Sequence, residues 1–224
     1  MSDEILAFAS VLRLNRTDVK VLNIRDAYSV HRVVYGLFEN VRNDTQSRSS
    51  VPSGISFVDK GGDFNFRQIL IISNRRPHQT PQFGVVETKP IHSDFLKYDR
   101  YGFEVTINPS KRDSKTGKVV PVKGRDEIVS WFTTRAVSSW GFSVIPDKLQ
   151  IERIGVQTFS NKDGKTVTHG SATFRGALEV VARDKFLQSF IQGIGRGRAF
   201  GFGLLQIIPL ISFEHRKDHG NDHQ

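Results

Sequence analysis

The stretch "YGFEVTINP" (Tyr101–Pro109) decides the fold: apolar and polar residues alternate along it as in a strand with one buried face, and a second structural pattern starts here. Immediately downstream, "SKRDSKTGKVVPVKG" (110–124) reads as a polar, hairpin-like excursion with a glycine turn. A helix follows from about Arg125 to Trp140, with Ile128, Trp131, Phe132 and Ala136 facing inward and Gly141 as its C-cap. The strands "LQIERIGVQTFS" (149–160) and "TVTHGSATFRGALEV" (166–180) flank "NKDGK", an Asp-Gly hairpin signal. "RDKFLQSFIQG" (183–193) is amphipathic through Phe186, Leu187, Phe190 and Ile191, and it leads through a glycine-rich loop into "LLQIIPLISF" (204–213). From Tyr101 onward the chain therefore reads β-α-β-β-α-β.

Upstream of Tyr101 a similar order is visible. "ILAFASVLRL" (5–14) is a buried-strand pattern that runs through polar residues to a helix opening at Asp26. "GISFVD" (54–59) and "FRQILIIS" (66–73) are strands joined by the turn-rich "KGGDFN". "RRPHQTPQ" (75–82) is a loop, or at most a short helix, and "FGVVETKPI" (83–91) a short strand. The expected class is α+β, a tandem of ferredoxin-like (RRM-like) domains with β-α-β-β-α-β repeated twice. The units span 1–97 and 98–213, and the polar tail 214–224 is expected to be disordered. The repeat is one of pattern, since the halves share no visible identity.

Composition narrows the partner. The 224 residues carry a formal net charge of +9, which favours a polyanion, nucleic acid before an anionic membrane. The absence of cysteine excludes disulfides, a thiolate nucleophile and cysteine metal sites. The acidic start "MSDEILAFAS" lacks the basic region of a secretory signal, and no apolar run is long enough to span a bilayer. The expectation is a soluble cytoplasmic protein.

Two stretches carry candidate chemistry. In "DAYSVHRVVYGLF" (26–38), Asp26 is placed as an N-cap, and Val30, Val33, Val34 and Leu37 form the core face. Tyr28, His31 and Tyr35 share the other side of the helix, because residues three and four apart are surface neighbours. The plainer reading is an exposed or interdomain histidine. The alternative is a proton-transfer group: metal-free RNA cleavage needs the 2′-hydroxyl deprotonated and the leaving 5′-oxygen protonated, and an imidazole can do either. In "GIGRGRAFGFGLL" (193–205), Gly193, Gly195, Gly197, Gly201 and Gly203 interleave with Arg196 and Arg198. Such backbone can approach phosphate closely or take positive φ. It follows a helix and enters a strand, and no Lys-Ser/Thr follows it, so it is neither a dinucleotide fingerprint nor a P-loop. A turn with solvated arginines is the other reading.

Taken in order, these motifs resemble the CasE-type CRISPR-associated repeat-RNA endoribonucleases, the processing subunits of Cascade complexes. The resemblance rests on "DAYSVHRVVYGLF", on "VTINPSKR…GKVVPV" and on "GIGRGRAFGFGLLQIIPL", which together span residues 26 to 210. It implies cleavage of a CRISPR repeat hairpin without metal or other cofactor. The product ends would be 2′,3′-cyclic phosphates, and the mature crRNA would be retained beside other Cascade-type subunits, with no membrane and no small-molecule substrate. It implies His31 as catalytic acid or base with Tyr28 as its phosphate-orienting partner. It also implies an RNA grip by Lys111, Arg112, Lys162, Gly195, Arg196, Arg198, Gly201 and Gly203. Relatives can carry an arginine-rich run before the turn at Lys162, where this chain has "TFSNKDG". Between Lys97 and Arg125, eight basic residues face three acidic ones, which can compensate.

Other classes are weaker on the residues. An RNA-binding module without catalysis needs only the basic surface, yet no RNA-recognition aromatic signature is present. A structural Cascade subunit would not need Tyr28 and His31 together. Metal-dependent nuclease chemistry lacks paired carboxylates at ligand spacing.

Overall fold

The computed structural model describes residues 4–39, 53–63, 65–160 and 164–211. Lys162, most of the turn around it and the tail 214–224 lie outside the described residues. The first half begins with β1 (Ile5–Asn15), α1 (Arg16–Val21) and α2 (Ala27–Tyr35), and continues with β2 (Ile55–Gly62), β3 (Phe66–Ser73) and β4 (Val85–His92). These strands form one antiparallel sheet in the order β2-β3-β1-β4.

The sequence of β3, "FRQILIIS", is apolar on both faces because both faces are covered. Ile69 and Ile71 join Leu12, Leu14 and Phe57 beneath Val30 and Val34 of α2. Leu70 and Ile72 point the other way, into the larger core of the second half.

That second half comprises β5 (Arg100–Ile107), a hairpin of β6 (Ser110–Arg112) and β7 (Val119–Pro121), α3 (Arg125–Arg135), β8 (Phe142–Val144), β9 (Gln150–Ser160), β10 (Thr166–Val180), α4 (Arg183–Gln192) and β11 (Gln206–Pro209). β8 and β9 pair with successive lengths of β10, and β5 joins β10 to β11, again all antiparallel. With β8 and β9 counted as one position, because they pair with successive lengths of the same strand, the five-stranded sheet runs second, third, first, fourth, as the first sheet does. Helix α4 packs against β2 and β3 of the first sheet, so the two halves share one buried layer. Within it Phe132 stacks on Phe174 with ring centroids 4.0 Å apart. Each such aromatic, fully removed from water, stabilises the fold by about 1.5–3 kcal/mol.

Four features differ from the sequence reading. A first helix, α1, interrupts the polar run after β1; Asn15 and Asp18 cap it reciprocally, but it fully buries no residue, so its apolar periodicity is faint. The segment between β3 and β4 contains no helix, since Pro77 and Pro81 remove two backbone donors from a stretch of eleven residues. The helix expected to reach Trp140 ends as α3 at Arg135 and continues as one π-helical turn, Ala136–Trp140, capped by Gly141 at φ 79°. Trp131, expected to face inward, is only partly buried against that core.

Candidate active site

Helix α2 is set by its N-terminus. Asp26 is extended, its carboxylate accepts the Ser29 backbone N–H at 2.8 Å, and the Ser29 hydroxyl caps in return. Val30, Val34 and Leu37 are buried as the periodicity requires, which leaves Tyr28 and His31 off that core, whereas Tyr35, expected on their side of the helix, is partly buried against it.

His31 meets the glycine-rich loop. Nδ1 of His31 lies 2.8 Å from the carbonyl oxygen of Ala199, within the 3-10 turn Arg198–Phe200. A carbonyl only accepts, so Nδ1 carries the proton of this bond. The His31 ring stacks on Tyr28 (6.0 Å, 19° between planes) and packs against Tyr35 (4.2 Å) and Phe200 (5.8 Å). Arg32 lies over the other partner of the stack, its guanidinium carbon 5.9 Å from the Tyr28 ring centre. The Tyr35 hydroxyl is engaged by Ser53 at 2.8 Å.

The loop owes its shape to glycine in two distinct ways. Gly203 has φ 81°, and a Cβ there would lie 2.0 Å from the Ile194 carbonyl oxygen, so its requirement is internal packing. Gly195 has φ 73° but a Cβ would meet nothing, which makes it the place where a ligand can come close to the backbone. Gly201 and Gly203 are buried, whereas Arg196 is exposed. Arg198 turns inward: its Nη1 donates to the carbonyls of Gln192 at 3.1 Å and Gly193 at 3.5 Å, closing the C-terminus of α4. As folded, Arg198 is engaged within the loop and Arg196 is exposed.

Lys111 and Arg112 stand exposed on β6; Arg112 donates to the Gly117 carbonyl at 2.6 Å across its own hairpin. Lys111 has no ion pair among the described residues. Of the other basic residues in that segment, Lys97 and Arg100 are paired with Asp94 and Glu179. Beside the N-terminus of α2, a cleft of about 330 Å³ opens between the halves, bordered by Arg25, Asp26, Arg153, Gln157, Phe200 and Gly201. Beyond this cleft Lys60 of β2 reaches Glu104 of β5 at 2.5 Å, and Arg175 holds the other carboxylate oxygen at 2.6 Å. Partial burial works to raise the Glu104 pKa, but these bonds outweigh it and bring it from 4.5 to about 2.

Sequence reasoning missed Ala199 and Phe200. Ala199 contributes only a carbonyl, which no side-chain pattern can signal, and Phe200 reads as one more apolar residue among glycines. The cleft was missed because its arginines, Arg25 before α2, Arg67 on β3 and Arg153 on β9, have no common spacing.

The profile of the CRISPR associated protein family matches residues 8–209, and the chain belongs to that family. Over 134 residues it is 32% identical to the CRISPR-associated endoribonuclease Cse3 of Thermus thermophilus, a match covering 56% of this chain and 63% of that relative's length. The fold is similar to that of a Cse3 endoribonuclease solved bound to a 19-nucleotide RNA, with TM-score 0.75 and 24% identity over 91% of this chain and 99% of the other. It is also similar to a chain of a CRISPR RNA-guided surveillance complex, with TM-score 0.68 and 18% identity over 91% of this chain and 100% of that one. No helix among the described residues is long and apolar enough to cross a membrane.

Proposed function

We propose that this chain is a CRISPR repeat-RNA endoribonuclease that cleaves precursor RNA within the repeat hairpin without a metal ion, and that it keeps the mature crRNA as a subunit of a Cascade-type complex. The observation that carries the reading is the hydrogen bond from His31 to Ala199, which joins the two motifs of candidate chemistry at one place. Family membership and the endoribonuclease name of the 32% identical relative support it. The common strand order of the two sheets supports a tandem ferredoxin-like architecture, with units over 1–97 and 98–213. A cytoplasmic location belongs to the same reading.

Because Nδ1 is held by Ala199, proton exchange falls to Nε2 of His31. Neutral His31 would take the 2′-hydroxyl proton at Nε2, or imidazolium would give its own Nε2 proton to the departing 5′-oxygen, water carrying the other proton in either case. The 2′-oxygen bonds to phosphorus as the P–O5′ bond breaks, leaving a 2′,3′-cyclic phosphate and a 5′-hydroxyl. Tyr28, stacked beside His31, would orient the phosphate or the 2′-hydroxyl. Exposed Lys111, Arg112 and Arg196, with the open backbone of Gly195, would receive the RNA backbone together with Lys162, which lies between β9 and β10 in the sequence; Gly201, Gly203 and Arg198 would shape the loop behind them.

The test is cleavage of the cognate repeat RNA in excess EDTA, beside a substrate with a single 2′-deoxy nucleotide just upstream of the cut. The expected result is unchanged cleavage of the first and intact binding without cleavage of the second. Cleavage of the deoxy substrate would overturn the mechanism.

A further inference from the structure

The Phe200 ring that packs on His31 also packs on a second histidine. The ring centre of Phe200 is 5.8 Å from that of His31 and 5.7 Å from that of His169 on β10. His169 also meets Phe159 at 5.6 Å and Phe202 at 5.9 Å, so it sits under the loop's two phenylalanines. Its Nδ1 is 3.0 Å from the side-chain amide nitrogen of Asn108. An amide nitrogen only donates, so Nδ1 accepts and the ring proton resides on Nε2. Nε2 is buried without a partner among the described residues, and burial lowers the His169 pKa, which keeps the ring neutral.

Asn108 is itself buried and has a second attachment. Its backbone forms an antiparallel bridge with Arg196, at the exposed end of the glycine-rich loop. One residue therefore ties the loop's backbone to the end of β5 and, through its side chain, fixes the histidine on which Phe200 rests. The base of the loop is fixed independently, by Gly203 donating to Thr106 at 2.7 Å and Ile194 donating to Gly203 at 2.8 Å. Within the tip Phe200 donates to Gly197 at 2.8 Å, and its ring packs on Phe159 at 4.5 Å as well as on His169.

We propose that Asn108 and His169 are positioning residues: together they set the Phe200 ring, and through it the Ala199 carbonyl that holds Nδ1 of His31. Histidine suits the place because its flat ring packs on phenylalanine while Nδ1 satisfies a buried amide donor that a phenylalanine would orphan. The catalytic consequence rests on the reading of His31 as the proton-transfer group; the placement of the carbonyl does not.

The experiment uses the full chain, free of RNA, labelled with ¹⁵N-histidine. In the wild type at a pH where His31 is neutral, NMR should show its proton on Nδ1. His169→Phe and Asn108→Ala should each mix the two His31 tautomers. With the cognate repeat RNA, both should slow single-turnover cleavage about 10- to 100-fold while affinity for an uncleavable 2′-deoxy hairpin stays unchanged. Should one variant fail to fold, the other reads the same bond. A His31 tautomer unaltered in the folded variants overturns the proposal, whatever their cleavage rates. A mixed tautomer with full-speed cleavage upholds the positioning and instead refutes His31 as the proton-transfer group.

Discussion

His31 and Ala199 stand 168 positions apart in the chain, yet an imidazole nitrogen of one is 2.8 Å from the carbonyl oxygen of the other. The bond crosses from the first half to the second. It fixes which nitrogen of His31 exchanges protons, and it makes the chemistry of α2 depend on the loop after α4.

Helix α2 depends first on its cap. Asp26→Ala removes the carboxylate that accepts the Ser29 N–H, and loss of such a cap costs about 0.5–2 kcal/mol. Urea unfolding of the variant should show a lower midpoint at an unaltered slope. An unchanged midpoint would mean that packing of Val30 and Val34 alone holds the helix.

The contact between Lys60 and Glu104 makes stability depend on acidity. The Glu104 pKa is lowered from 4.5 to about 2, so its ionised form favours the folded chain. That contribution is complete above about pH 4.5. It is lost as pH falls toward about 2. Wild type should therefore exceed Glu104→Gln in urea midpoint at pH 6, with the gap closing between these limits. A gap that stays constant over that range would remove Glu104 from the account.

The glycines of the loop separate by what surrounds them. Gly195→Ala forces a left-handed backbone onto a residue with open space, a cost of about 1–2 kcal/mol. Gly203→Ala adds a collision with the Ile194 carbonyl and should destabilise the fold by clearly more. Equal thermal shifts for the two variants would contradict the packing described for Gly203.

Arg196 and Arg198 should separate in the same manner. Arg196→Ala and Lys111→Ala each should lower the log-log salt slope of RNA binding by about 0.7 to 0.9, as expected for one lost phosphate contact. Arg198→Ala loses its bonds to Gln192 and Gly193, so it should reduce thermal stability and leave the slope near wild type. A slope change without a stability change would place Arg198 on the RNA instead.

Much of this was legible in the sequence wherever periodicity was strong. Val30 and Val34 of α2, the alternation of β5, and Phe186 and Phe190 of α4 buried as read, while Val33, Leu187 and Ile191 are partly buried beside them. Helix α1 escaped because it buries almost nothing, and the early end of α3 because a π-helical turn preserves the same apolar spacing. At the site, Tyr28 and His31 were readable because two and three residues separate neighbours on one helix face. Their partner across the cleft was not, since a backbone carbonyl leaves no trace in side-chain pattern. The inward turn of Arg198 is likewise set by the C-terminus of α4, a tertiary cause that local composition does not carry.

The central claim is that His31 transfers the proton in RNA cleavage, and single-turnover cleavage of the cognate repeat RNA by His31→Ala measures it most directly. The rate should fall by about 10²- to 10⁴-fold, with affinity for the uncleavable hairpin unchanged, as for loss of a general acid or base. Tyr28→Phe, assayed alongside, should fall by less. Cleavage by His31→Ala at the wild-type rate would contradict the account.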